Sequence, residues 1–180
     1  MSTEVVARQT RLQQRYREAP AEALITESAR TANGVRHDPF HGHLEIGGGA
    51  PSLVPERGFE VGIHSAVGGD HDLPNPGHVL VGALAACMDT TLRILAERFG
   101  IELESLEVSV DGHVDVRGAL MVSAEAPVGF QDMHCRVDLR PAQGTPAEAI
   151  ERLMAATERS CIVLQTLRNG APITTSLVMR

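Results

Sequence analysis

The chain has 180 residues, 43% of them hydrophobic and 22% charged, which fits a soluble globular domain with a real core and argues against disorder. Aromatic residues make up only 3%, with no Trp and a single Tyr, Tyr16, and the formal net charge is −7. A stacking platform for single-stranded nucleic acid needs aromatic rings, and a phosphate-binding surface needs clustered positive charge, so composition argues against both.

Residues 3–18 read as a short helical arm. Val5, Leu12 and Tyr16 fall near one face, Arg8, Arg11, Arg15 and Arg17 lie mostly elsewhere, and Pro20 ends it. On so acidic a chain the basic run reads as a solvated helix rather than a nucleic-acid tail. We assign 1–22 to this arm and 23–180 to a single domain. The opening "MSTEVVARQTRLQQRYREAP" lacks the apolar centre of a secretory signal. Three cysteines on such a chain point to a reducing cytoplasm, where thiols stay free unless they are redox-active.

From Leu24 to about Val67, short segments are broken by Gly, Pro and Asn. "ALITESART", "GHLEIG" and "GFEVGIHSA" read as strands, with turns at Asn33-Gly34 and Gly47-Gly48-Gly49. "AVGGDHDLPNPG" then makes a loop, in which Asn75 can cap the next helix with Pro76 at its first position. That helix runs from about Pro76 to Phe99 and stops at Gly100. Apolar residues nearly surround its first three turns, which predicts a central helix covered on several faces. Gly82, Ala83, Ala85 and Ala86 would let another backbone come close. Asp89, Arg93, Glu97 and Arg98 interrupt it, so no uninterrupted span-length run is expected and no membrane attachment.

"LEVSVDGHVDV" and "MHCRVDLR" alternate as strands, with Leu106, Val108 and Val110 on one inward face and Cys135, Val137 and Leu139 on the other. The stretch 117–129 between them carries no clear pattern. Thr145 and Glu148 have capping-box spacing and open a second long helix. Along it Ile150, Leu153, Met154, Thr157, Cys161 and Leu164 recur at helical spacing, Asn169-Gly170 ends it, and "APITTSLVM" reads as a closing strand. The order predicts an α+β fold.

Free cysteine often behaves as a small buried hydrophobe, and Cys135 on its strand takes that reading. Cys87 and Cys161 differ because each lies on the buried side of one of the two long helices. If those helices pack together, the two thiols can meet. A thiolate could then attack a peroxide, become a sulfenic acid, and condense with its neighbour to a disulfide. The attacking thiol would need donors or a cation to lower its pKa.

"NPGHVLVGALAACMDTTLRILAERFGIELESLEVSV" resembles the first cysteine segment of the OsmC/Ohr family, the osmotically induced and organic hydroperoxide resistance proteins, and "ATERSCIVLQTLRNGAPITTSL" resembles its second. The resemblance implies antiparallel-rich sheets wrapped around two central helices in an intertwined homodimer. It implies a thiol peroxidase that turns organic hydroperoxides into alcohols, with Cys87 peroxidatic, Cys161 resolving, an external dithiol as reductant and no cofactor. The family's activating arginine corresponds best to Arg36 in "NGVRHD", with Arg30 second. Two departures stand out. Gly77-His78 occupies the place of an acidic residue that holds that arginine, leaving Asp38, Asp70 and Asp72 as substitutes, and Ile162 follows Cys161 where many relatives have proline.

Two rival readings remain. The same fold could bind a small hydrophobic molecule in its dimer cleft without catalysis. Alternatively, His37, Asp38, His41, His43, His64, Asp70, His71 and Asp72 supply imidazole and carboxylate for a metal site, although their spacing matches no compact motif.

Overall fold

The computed structural model describes residues 4–26, 28–32, 41–46 and 58–179. Helix α1 spans Glu4–Glu18 and gives way, as Pro20 requires, to a 3-10 turn over Pro20–Ala23. Three short strands follow: β1 (Ala29–Ala32), β2 (Gly42–Ile46) and β3 (Gly58–Val61). The long helix α2 spans Pro76–Phe99, and strand β4 (Leu103–Val114), the single turn α3 (Val116–Ala119) and strand β5 (Phe130–Pro141) come next. Helices α4 (Ala147–Ser160) and α5 (Ile162–Asn169) complete the order. The fold is α+β, as the pattern of elements predicts.

The chain gathers into two compact units. One comprises the start of α1, Gly82–Val110 and the chain from Cys135 onward; the other comprises Ala7–Val81 and Asp111–His134. Strands β1, β2 and β3 form an antiparallel sheet in the second unit, with Arg30 opposite Glu45 and His43 opposite Glu60. Period two puts those four polar residues on one face and Leu44, Ile46, Phe59 and Val61 on the other. Strand β1 begins six residues later than "ALITESART" suggests, and Leu24 and Ile25 stand exposed. An apolar run becomes a strand only where a neighbouring backbone pairs with it. The Asn33-Gly34 and Gly47–Gly49 turns lie outside the described residues.

Strands β4 and β5 pair in a two-stranded ribbon. They run antiparallel: the Ala142 N–H donates to the Glu102 carbonyl at one end (2.9 Å), where Arg140 also meets Glu104 (2.9 Å), and His113 meets Asp132 near the other (2.7 Å). Their alternation holds as read, with Leu106, Val108 and Val110 facing in opposite Met133, Cys135, Val137 and Leu139. Gly112 is required by close approach, because a Cβ there would meet the Phe130 ring at 2.6 Å.

In the first unit, α2 buries one stripe in steps of four: Leu84, Met88, Leu92 and Ala96. Leu92, Ala96 and Leu153 of α4 form the centre, packed by Leu95, Ile101, Leu103, Leu106, Val137, Leu139 and Met154. Within one chain the rest of α2 is not covered on several faces; Gly82, Ala83 and Ala86 stay exposed. By length and composition α2 also passes for a membrane span (mean hydropathy 1.7), which corrects the expectation drawn from its charges. Asp89 and Arg93 are a single ion pair one turn apart (2.7 Å), so they interrupt the run less than two separate charges would. The packed stripe nevertheless makes α2 the core helix of its unit. Truncating the fully buried Leu92 to Ala should cost about 2–5 kcal/mol. Urea denaturation checks this, with an expected fall in midpoint of about 1–2 M.

Two ends differ from expectation. Helix α4 starts at Ala147 with Pro146 as its cap, and no capping box forms, because the Thr145 hydroxyl donates to the Ala142 carbonyl (2.8 Å) instead. Residues 171–179 carry no strand and are exposed, with Ile173 86% and Leu177 84% accessible.

Candidate functional site

Cys87 sits in the middle of α2, beside the buried stripe and half-buried itself. Its neighbour is set by the largest departure from the sequence reading. The second long helix is broken at Cys161, whose backbone is extended (φ −73°, ψ 107°) and ends α4 while capping α5. Its N–H still donates to the Thr157 carbonyl (2.9 Å), and its carbonyl still accepts from Gln165 N–H (3.0 Å). Only the bonds that would cross the break are lost. The Glu158 carbonyl vacated by it accepts from the Gln165 side-chain amide (2.7 Å). The β-branched pair Ile162-Val163 lowers helix propensity at this point.

The break turns the first amides of α5 toward sulfur. The Val163 and Ile162 N–H groups favour the charged form of Cys87, and those of Leu164 and Val163 favour that of Cys161. The Cys161 thiol and the Thr91 hydroxyl lie near enough to Cys87 to favour its thiolate as well. Both cysteines are free thiols, and Cys161 is fully buried at 0% exposure.

This environment drives the two thiols apart. For Cys87, burial works upward, but the Val163 amide, the Cys161 thiol, the Thr91 hydroxyl and the Ile162 amide together outweigh it, leaving the group below the ordinary thiol value. For Cys161, burial dominates; with its bond and charge interaction with Cys87 it is pushed up to about 11, against the opposing amides of Leu164 and Val163. Near neutral pH Cys161 is thus protonated, and Cys87 is the more acidic of the two thiols. Cys135 is raised, by burial and then by the charge of Glu158, and is not among the groups bonded to the pair.

The other predicted residues are distributed differently. Arg36, His37 and Asp38 lie outside the described residues. Arg30 is bonded to Glu45 (2.6 Å) in the three-stranded sheet. His78 has a role that its spacing hid: Asn75 Oδ1 accepts from the His78 N–H (3.1 Å) and His78 Nδ1 accepts from the Asn75 N–H (3.4 Å). That reciprocal pair caps α2 as a Ser–Glu capping box would, with Pro76 at the first position as expected. His41 meets Asp72 (3.2 Å) and His43 meets Glu60 (2.6 Å). The rings of His64, His71 and His78 lie in sequence, with centroids 4.1 Å and 5.7 Å apart. Among the described residues no three such side chains are arranged to hold a metal ion. His64 and His78 each accept a backbone N–H at Nδ1, which leaves the ring proton on Nε2, opposite to what ligation through Nε2 requires.

No curated protein is similar to the sequence. Solved structures share the fold at low identity. An OsmC-like protein from Mycoplasma pneumoniae superposes with a TM-score of 0.60 at 12% identity, over 81% of this chain and 89% of the other. An organic hydroperoxide resistance protein from Elizabethkingia anophelis gives 0.59 at 18%, over 82% and 91%. One from Legionella pneumophila, described as a predicted redox protein, gives 0.55 at 20%, over 81% and 91%. The sequence itself matches the family described as OsmC-like protein over residues 69–176, a span that holds α2, both cysteines of the pair and the break between α4 and α5. The chain belongs to the OsmC-like protein family.

Proposed function

We propose that the protein is a thiol-dependent peroxidase for organic hydroperoxides. The observation that carries this reading is the pairing of a fully buried Cys161, pushed up to about 11, with a neighbouring Cys87 whose thiol is held below its ordinary range. Paired groups pushed apart in this way mark division of labour between an attacking and a waiting residue. The Cys87 thiolate attacks the terminal peroxide oxygen, the O–O bond breaks, and the alkoxide takes a proton to leave as the alcohol. Cys87 is oxidised to a sulfenic acid. Cys161 then attacks that sulfur, losing its proton, and hydroxide departs as water, leaving a disulfide. An external dithiol reduces the disulfide by exchange and is itself oxidised.

Arg36 is assigned to the cationic side of the thiolate, supplementing the amide, thiol and hydroxyl donors. The exposed small residues of α2, Gly82, Ala83 and Ala86, support assembly as a homodimer, because they let a second helix approach closely. Organic substrates fit the apolar surroundings of Cys87 better than small polar peroxides. The structural relatives named for organic hydroperoxide resistance support the same choice.

The test is a thiol count on the reduced protein after addition of cumene hydroperoxide. Two thiols per chain should disappear, with a disulfide mapped to the Cys87 and Cys161 peptides. An unchanged count would favour the non-enzymatic reading, in which a small apolar molecule is held. A groove of about 990 Å³ lined in part by Phe99, Ile101, Met154 and Arg152 is available within the cysteine-bearing unit.

A further inference from the structure

In a helix continuous through Cys161, the Ile162, Val163 and Leu164 N–H groups would serve the carbonyls of Glu158, Arg159 and Ser160. The break at Cys161 forfeits those bonds, so something specific to the broken form has to offset them. Two side-chain contacts cross it. Gln165 Nε2 donates to the Glu158 carbonyl seven residues back (2.7 Å), and Arg168 Nη1 donates to the Glu158 carboxylate ten residues back (3.0 Å). Along a straight helix those pairs would stand about 10 Å and about 15 Å apart, whereas helical side chains meet at separations of three or four residues. Both contacts therefore belong to the broken form alone. The ion pair is exposed and contributes little. Gln165 is half-buried, and its bond satisfies a carbonyl that has lost its helical partner. The far end of its side chain is held too, because Asn169 Nδ2 donates to Gln165 Oε1 (3.1 Å) and to the Gln165 carbonyl (2.9 Å).

We propose that Gln165 is a positioning residue for Cys161, a side-chain latch that favours the broken joint between α4 and α5 over a continuous helix and so keeps Cys161 buried beside Cys87. This deepens the peroxidase reading and rests on it for the use made of Cys161. The two forms differ in what serves the Glu158 carbonyl: the Gln165 side chain in one, the Ile162 amide in the other. Removing the side-chain donor biases the joint toward the second form. Glutamate is the sharpest replacement, because it keeps the shape of glutamine and sets an acceptor against the carbonyl. Methionine keeps the length and places no donor there.

The first measurement is iodoacetamide alkylation in the Cys87→Ser background, resolved by peptide mass spectrometry, with Cys135 of the same chain as reference. Cys161 is fully buried, so its alkylation reads the opening of the joint. Gln165→Glu and Gln165→Met should each speed Cys161 by about threefold to tenfold with Cys135 unchanged. Arg168→Met should speed it by less than about twofold. An unchanged Cys161 in both Gln165 variants overturns the proposal. So does equal speeding of Cys135, which marks general loosening, and so does a Gln165→Glu protein that behaves as its parent while Gln165→Met opens, which marks packing. The second measurement keeps Cys87 and adds one equivalent of cumene hydroperoxide. Gln165→Glu should slow peroxide consumption by less than about threefold, while dimedone captures about threefold more sulfenic acid on Cys87. Capture equal to wild type in a protein that consumes the peroxide also overturns the proposal. No peroxide enters the alkylation. A faster Cys161 in a protein that leaves hydroperoxide untouched therefore sinks the peroxidase and keeps Gln165, whereas an unchanged Cys161 in an active peroxidase sinks Gln165 alone.

Discussion

Replacing Cys87 with Ser should abolish hydroperoxide reduction, with a loss of at least about a thousandfold in the rate of peroxide consumption. Serine nearly preserves the size of the side chain and can accept hydrogen bonds as the sulfur does, so the fold and the break at Cys161 should survive. What disappears is the nucleophile. A hydroxyl is far less acidic than a thiol, and donors that draw a thiol below its usual range do not bring an alcohol into reach of neutral pH. Cumene hydroperoxide should then leave the thiol count of the variant unchanged. Residual consumption at more than a tenth of the wild-type rate would mean that another group attacks, and Cys135 would be the thiol to examine. Its position argues against it, because burial and the negative charge of Glu158 both disfavour its ionisation.

Much of the scaffold for this chemistry is legible in the sequence. The span of α2, its start at Asn75-Pro76 and its stop at Gly100 follow from capping chemistry and hydrophobic density, both local properties. The inward faces of β4 and β5 follow from period two for the same reason. Non-local features are the ones that escape. Nothing local in "SCIVL" announces a break, because residues before and after Cys161 keep the same helical spacing of apolar side chains. The β-branched Ile162-Val163 pair and Gln165, placed to serve the Glu158 carbonyl, are the faint signals. His78 is legible as a missing carboxylate but not as a cap, since imidazole in that role is uncommon. The segment 171–179 alternates like a strand, but strand formation depends on an edge to pair with, and among the described residues it is paired with none. Cys87 and Cys161 could be picked out by pattern and resemblance. Their interaction, and the separation between their acidities, could not.

Replacing Cys161 with Ala or Ser should separate the first chemical step from turnover. The first equivalent of hydroperoxide should still be reduced, because Cys87 keeps the Val163 and Ile162 amides and Thr91. One of the groups that lower the Cys87 thiol is lost with Cys161, so the attack should slow by about threefold to tenfold, the range of one ordinary hydrogen bond. Turnover with a dithiol reductant should fall much further, by about a hundredfold or more, because no second thiol stands beside the sulfenic acid to expel its hydroxide. The sulfenic acid should therefore accumulate and be trapped by dimedone as an adduct on the Cys87 peptide, and excess peroxide should carry it on to the irreversible sulfinic acid. Serine fits the site through the Leu164 and Val163 amides now directed at the Cys161 sulfur, whereas alanine leaves those donors without that acceptor; if both variants stall at the same stage, the stall belongs to the missing thiol and not to a disturbed break between α4 and α5. Unimpaired turnover in both would mean that the external dithiol attacks the sulfenic acid directly, and Cys161 would then be a donor that sets the acidity of Cys87 without itself closing the disulfide.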